Sequence, residues 1–130
     1  MTKQDHINYW KDTSFKDWKA VQDLFATKNY VQSLFLAHLT IEKLIKAIWV
    51  KDNTDNVPPR THDLVRLISY TLLRPSEDAL EFLESFNDFQ LEGRYPDYQL
   101  QLYKACDLDF TKPTLDKIND IRQWLISNLQ

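Results

Sequence analysis

Gly93 is the only glycine in a chain of 130 residues. Average usage is roughly 7%, and the tight two-residue turns that join antiparallel strands depend on residues that accept positive φ, glycine first among them. One glycine therefore counts strongly against a fold of many strands. The apolar residues must be buried by longer, helical elements. There are enough of them, since 43% of the chain is hydrophobic and 13% aromatic. A single domain of this length can bury a sizeable core without staples. Cys106 is the lone cysteine, so no intrachain disulfide can form and a reducing environment is suitable.

Apolar spacing divides the chain into about five helical segments. The first is expected over Thr13–Ala26, capped by Thr13 or Ser14, with Trp18, Val21, Leu24 and Phe25 on one face. The second and clearest runs from about Asn29 to Val50, where Leu34, Ala37, His38, Ile41, Leu44, Ile45 and Ile48 recur at helical spacing. Polar residues and Pro58-Pro59 end it. Thr61 is expected to cap a third helix carrying Leu64, Leu67, Ile68 and Leu72, and Ser76 a fourth carrying Leu80, Leu83, Phe86 and Phe89. The stretch from Gln99 to Cys106 is expected to be loop plus a short helix. Pro113, at a first helical position, is expected to open the last helix with its stripe Leu115, Ile118, Ile121, Leu125 and Leu129. The expected architecture is an all-α, up-and-down bundle, residues 13–130 forming one domain behind a lead segment of residues 1–12.

The formal net charge of -3 excludes a general nucleic-acid binder and leaves room only for a local basic patch. The polar opening Met1–His6 does not resemble a signal peptide. His38, Glu42, Lys43 and Lys46 interrupt the greasiest stretch and argue against a membrane span. A cytoplasmic protein is the expectation. No phosphate-cradling glycine loop, zinc-ligand pattern or nucleophile elbow is present. No metal or cofactor is expected.

Individual polar residues carry the remaining candidates. His38 lies on the apolar side of the second helix, as a core histidine with a hydrogen-bond partner or in a catalytic or ligand role. Glu42 precedes Lys46 by one turn, as a solvated salt bridge on the helix face or as a binding pair for something polar. His62 stands at a helix start, where the dipole favours the neutral ring; it is a proton acceptor or a loop anchor. Arg94 offers a planar fork for phosphate or carboxylate, and Tyr95 and Tyr98 could stack on a base. The alternative is an arginine that pins its own loop to Glu92, Asp97 or a helix end.

Three motifs stand in order along the chain. Leu39-Thr40-Ile41-Glu42-Lys43-Leu44-Ile45-Lys46-Ala47 resembles the A-x-E-K-x-x-K-A signature of HEPN proteins. Thr61-His62-Asp63-Leu64 is similar to their T-H-x-L, and Gly93-Arg94-Tyr95-Pro96-Asp97 to their x-R-Y-P-D. The resemblance implies a dimeric helical bundle, in many members paired with a minimal nucleotidyltransferase as toxin and antitoxin. It also implies RNA cleavage by an Arg-x(4–6)-His motif, or binding of RNA, nucleotide or partner proteins in noncatalytic members. Here the histidine position falls among Gln99, Leu100 and Gln101, and no histidine follows His62. The tyrosine that some family toxins carry two residues after that histidine, where the partner enzyme attaches AMP, falls at Gln101 here. The expectation is therefore a noncatalytic interaction module and homodimer, the partner of a minimal nucleotidyltransferase in a toxin–antitoxin-like pair, binding RNA or nucleotide through the Arg94 loop, with Arg94, Tyr95, Asp97, His62, Glu42 and Lys46 as the ligand-binding residues. The alternatives are a divergent metal-independent RNase using Arg94 and His62, and a structural adaptor with no ligand. Arg94 and His62 are expected to line one polar cleft.

Overall fold

The computed structural model describes residues 1–92 and 94–130, so Gly93 of the third motif lies outside the described residues. Among them are six α-helices and no strand: α1 (Lys3–Ala26), α2 (Tyr30–Asp52), α3 (Leu64–Ser69), α4 (Glu77–Phe86), α5 (Pro96–Ala105) and α6 (Leu108–Ser127). A short 3-10 helix, Asn87–Phe89, continues α4. The all-helical bundle expected from the sequence is the fold.

α2 is its axis. Fourteen of its 23 residues are buried, on every side of the helix, which is how a helix surrounded by others must look. Leu34, Ile41, Leu44 and Ile45 are fully covered, each worth about 1.5–3 kcal/mol of apolar burial. α1 runs antiparallel to α2 after a three-residue turn. It buries Ile7, Ser14 and Val21 at heptad spacing, so each faces α2 on successive double turns. Ser33 of α2 donates a buried hydrogen bond to the Val21 carbonyl, 2.9 Å. α6 covers another flank with Leu115, Ile118, Ile121 and Leu125. Leu129, two residues beyond its end, packs on the cluster of Ile7, Ala47 and Val50, so α6 runs in the direction of α2. α3, α4 and α5 fill the crossover between these two long helices.

Five boundaries differ from the sequence expectation, one of them the end of α3, which stops at Ser69 and leaves Leu72, expected on its apolar side, exposed. α1 starts at Lys3, ten residues before Thr13, and the supposed lead segment is its first part. Thr2 and Asp5 form a reciprocal capping box, with the Asp5 N–H donating to Thr2 Oγ1 at 3.1 Å and the Thr2 N–H to Asp5 Oδ2 at 2.9 Å. Residues 1–12 are polar because that part of the helix has a wide solvent face, yet Ile7 is buried. α3 is capped by Asp63, whose side chain accepts from the Arg66 N–H at 3.2 Å; Thr61 instead accepts from the Asp63 N–H in the loop before it. α6 opens at Asp107, which accepts from the Phe110 N–H at 2.9 Å, so Pro113 sits inside the helix. Its missing N–H removes one helical bond, and the first turn packs through Phe110 against Phe89, ring centroids 6.0 Å apart. Lastly, residues 99–105 belong wholly to α5, with Pro96 in its first turn. No helix among the described residues is long and apolar enough to cross a membrane.

Candidate functional site

Glu42, midway along α2, faces the loop before α3. Glu42 is 2% exposed and Lys46 8%, so the pair is internal and not the solvated face pair that its spacing suggests. Lys46 Nζ donates to Glu42 Oε2 at 3.0 Å, and its head lies 5.3 Å from the centre of the Trp10 ring. A buried carboxylate needs more than one donor, and His62 supplies the second, Nδ1 lying 2.9 Å from Glu42 Oε1. The other ring nitrogen of His62 lies 3.3 Å from Glu92 Oε2. His62 is thus held between an internal and a surface carboxylate.

His38, one turn before Glu42, is a buried core histidine with a partner. Its Nε2 lies 3.2 Å from Asn87 Oδ1. The Asn87 amide is oriented by its other bonds: Oδ1 accepts from the Leu64 N–H at 3.1 Å, and Nδ2 donates to Asp63 Oδ1 at 3.1 Å. His38 Nε2 must therefore carry the proton and donate. Burial pushes the His38 pKa below its ordinary 6.5, opposed by the bond to Asn87 and by the charge of Glu42. Asn87 is the hub that ties α2, α3 and the end of α4 together. Nothing in its sequence neighbourhood marks it, because its three partners are 23 to 49 residues away.

Beyond this buried network lies an open cleft of about 380 Å³, lined by His62, Asp63, Glu84, Asn87, Asp88, Gln90 and Arg94. His62 and Arg94 do share one cleft. Arg94 Nε donates to the Gln90 carbonyl at the end of the 3-10 helix, 3.2 Å, and the guanidinium stacks on Tyr98 at 4.8 Å. Among the described residues it forms no ion pair with Glu92 or Asp97. Tyr98 also donates to the Asp88 carbonyl, 3.0 Å, which fixes the stacking ring. Tyr95 and Asp97 are exposed and do not line the cleft. Gln99 turns back on the loop, its Nε2 reaching the Arg94 carbonyl at 3.4 Å. The cleft contains three carboxylates, Asp63, Glu84 and Asp88, and one arginine. Among the described residues no group of three or more His, Cys, Asp or Glu could hold a metal ion.

The sequence carried one signal for the internal charges. Ile41, Leu44, Ile45, Ala47 and Ile48 surround Glu42 and Lys46 on all sides of the helix, and a helix apolar all round is buried. A family model described as HEPN domain matches residues 7–129, nearly the whole chain. The chain belongs to the HEPN family. No curated protein and no solved structure matches it closely enough to add to that assignment. In this HEPN domain the positions expected to hold the RNase histidine, Gln99 to Gln101, lie on α5, and the one histidine near Arg94 comes from the loop before α3.

Proposed function

We propose that this HEPN domain is a noncatalytic interaction module that engages a protein partner through the His62–Arg94 cleft. The observation that carries the reading is the cleft's charge: three carboxylates face one arginine, and that arginine is already engaged by Gln90 and Tyr98. Such a lining repels RNA phosphates and suits a cationic side chain of a protein. The family resemblance supplies a candidate partner, a minimal nucleotidyltransferase in a toxin–antitoxin-like pair, acting in the cytoplasm. A homodimer fits the exposed Leu100 and Tyr103 of α5, a helix with no buried residue, and the exposed Leu108 and Phe110 that follow. Sedimentation at tens of micromolar, roughly the range of weak interfaces, that finds monomer alone removes the dimer.

One observation favours the second reading, a divergent metal-independent RNase. Glu42 orients the His62 ring through Nδ1, as the carboxylate of a catalytic dyad does, with Nε2 toward the surface. The two readings part in a chelator-containing incubation with single-stranded and structured RNA. The parent, Arg94→Ala and His62→Ala should all leave the RNA intact. Robust cleavage by the parent that both substitutions abolish would overturn the noncatalytic reading.

A further inference from the structure

The His62 ring meets a carboxylate at each nitrogen, and the two carboxylates stand in opposite surroundings. Glu42 Oε1 lies 2.9 Å from Nδ1 on a side chain that is 3% exposed, and Glu92 Oε2 lies 3.3 Å from Nε2 on a side chain that is 69% exposed. A neutral imidazole carries one N–H and one lone pair, so it can satisfy only one of them. Burial decides which. Facing a lone pair, the internal Glu42 Oε1 would lose its donor at a high cost, whereas Glu92 can turn to water. The neutral ring therefore keeps its proton on Nδ1. Its Nε2 lone pair then faces the Glu92 oxygen, acceptor against acceptor. Only the doubly protonated ring can hold both carboxylates.

The charges around the ring come from each element packed on it. From α2, Lys46 is bound to Glu42 Oε2, and His38 Nδ1 lies 3.9 Å from Glu42 Oε1. His38 competes poorly for a proton, because burial holds its pKa below the ordinary 6.5 and a charge on His62 lowers it further. Asp63 follows His62 in the chain, and Glu84, Asp88 and Arg94 line the same cleft. Arg60, two residues before His62, lines instead a separate cavity of about 510 Å³ with Trp49, Arg66 and Tyr70. Glu92 is joined in turn to the Arg94 side of the cleft. Its N–H donates to Gln90 Oε1 at 2.8 Å, and the Arg94 N–H donates to the Leu91 carbonyl at 3.1 Å. The contact between His62 and Glu92 thus ties this segment to the loop before α3.

We propose that His62 is a proton-operated latch on the His62–Arg94 cleft. With both nitrogens protonated, the ring clamps Glu92 against the loop before α3. When the Nε2 proton passes to water the clamp opens, and the Glu92 carboxylate is left free at the rim. The regulatory consequence rests on the reading of this cleft as the seat of a partner's cationic side chain. The protonated ring competes with that side chain for Glu92 and adds a positive charge to the lining, so the partner is held more tightly at the alkaline end. The latch joins a half-exposed ring to an exposed carboxylate. Its scale is that of a surface ion pair, up to about fivefold in an equilibrium.

The test is a titration of the full-length protein across about pH 5.5 to 8.5, read on the imidazole nitrogens by NMR. The Nε2 proton of His62 should be the one that leaves, with Nδ1 keeping its own. The Glu92 and Arg94 amides should shift with the same midpoint. Glu92→Gln should lower that midpoint by about half a pH unit, the equivalent of a surface ion pair, and the exposed position of Glu92 leaves folding intact. Lys104→Gln, which removes an exposed charge on α5, should leave the midpoint unchanged. In calorimetry a tetra-arginine peptide should bind up to about fivefold more tightly at the alkaline end than at the acidic end, and Glu92→Gln should reduce that ratio. A neutral ring protonated on Nε2, or a midpoint untouched by Glu92→Gln, overturns the latch. Equal peptide affinity at both ends overturns its role in regulation. No peptide binding at either end removes the cationic-partner reading and the regulation with it, while the ring resonances still decide the latch itself.

Discussion

The stretch Arg60-Thr61-His62-Asp63 separates two clefts built on opposite principles. Toward His62 the polar groups are consumed by one another: Lys46 and His62 by Glu42, His38 and Asp63 by Asn87. Toward Arg60 they line a cavity, where Arg66 bonds Tyr70 through Nε alone and, among the described residues, neither arginine is in an ion pair. Groups bonded in the interior fix the positions of helices, because leaving any one of them alone there is costly. Groups held at a cavity without a partner cost little in water and are available to a ligand. The comparison separates the buried residues that hold the fold, Glu42, Lys46, His38 and Asn87, from the groups at either cleft that keep bonding capacity, although four consecutive positions serve both sides.

The largest effect should come from the internal side. Glu42→Ala leaves the buried Lys46 ammonium without its carboxylate and His62 without its anchor. Breaking a buried pair in this way costs about 3–5 kcal/mol, read from the urea midpoint. A loss as small as that of a surface substitution would mean that the network is ornamental and that the contrast between the clefts is false.

A smaller effect is expected from His38, and it depends on pH. Its folded pKa lies below the ordinary 6.5 because burial disfavours the charged ring. Above about pH 6.5 both folded and unfolded chains hold it neutral, and the stability it contributes is complete. As pH falls below that value the unfolded chain takes a proton that the folded chain refuses, so stability declines towards the folded pKa. The slope is at most about 1.4 kcal/mol per pH unit. His38→Gln should flatten this part of the stability profile in urea titrations from neutral to mildly acidic pH. A slope equal to that of the parent assigns the acid sensitivity to other groups.

The smallest effect on folding should come from Arg60→Gln and Arg66→Gln. Both side chains lie at the surface, away from the buried network, and their unfolding midpoints should match that of the parent. A large fall in either would place that arginine in the structural class and dissolve the contrast from the other side.

Much of the helical layout was legible. The stripes of α2 and α6 and the Ser76 cap of α4 follow from residue spacing and cap chemistry alone. The misjudged boundaries share a cause. The capping box Thr2–Asp5 was present, but polar residues around it concealed a helix whose apolar face is narrow. At Pro113 the local preference of proline for a first turn competed with the Asp107 cap and the packing of Phe110, and the packing prevailed. The spacing of Glu42 and Lys46 in the chain said that they pair, but could not say whether water or protein surrounds them.

The sequence by itself determined that this chain is helical, that α2 is its apolar axis, and that three motifs place it in the HEPN family. Those are properties of near neighbours along the chain: helical periodicity, caps and short signatures. Only the tertiary structure decided that Asn87 orients His38 and that Lys3 covers the end of α2. It alone gathered Trp49, Arg60, Arg66 and Tyr70 around one cavity. Arg66 and Tyr70 share a helical spacing, but Trp49 and Arg60 stand outside it, and the path of the loop from Asn53 to Asp63 brings them together. The path of such a loop depends on contacts with distant helices, which no local pattern records.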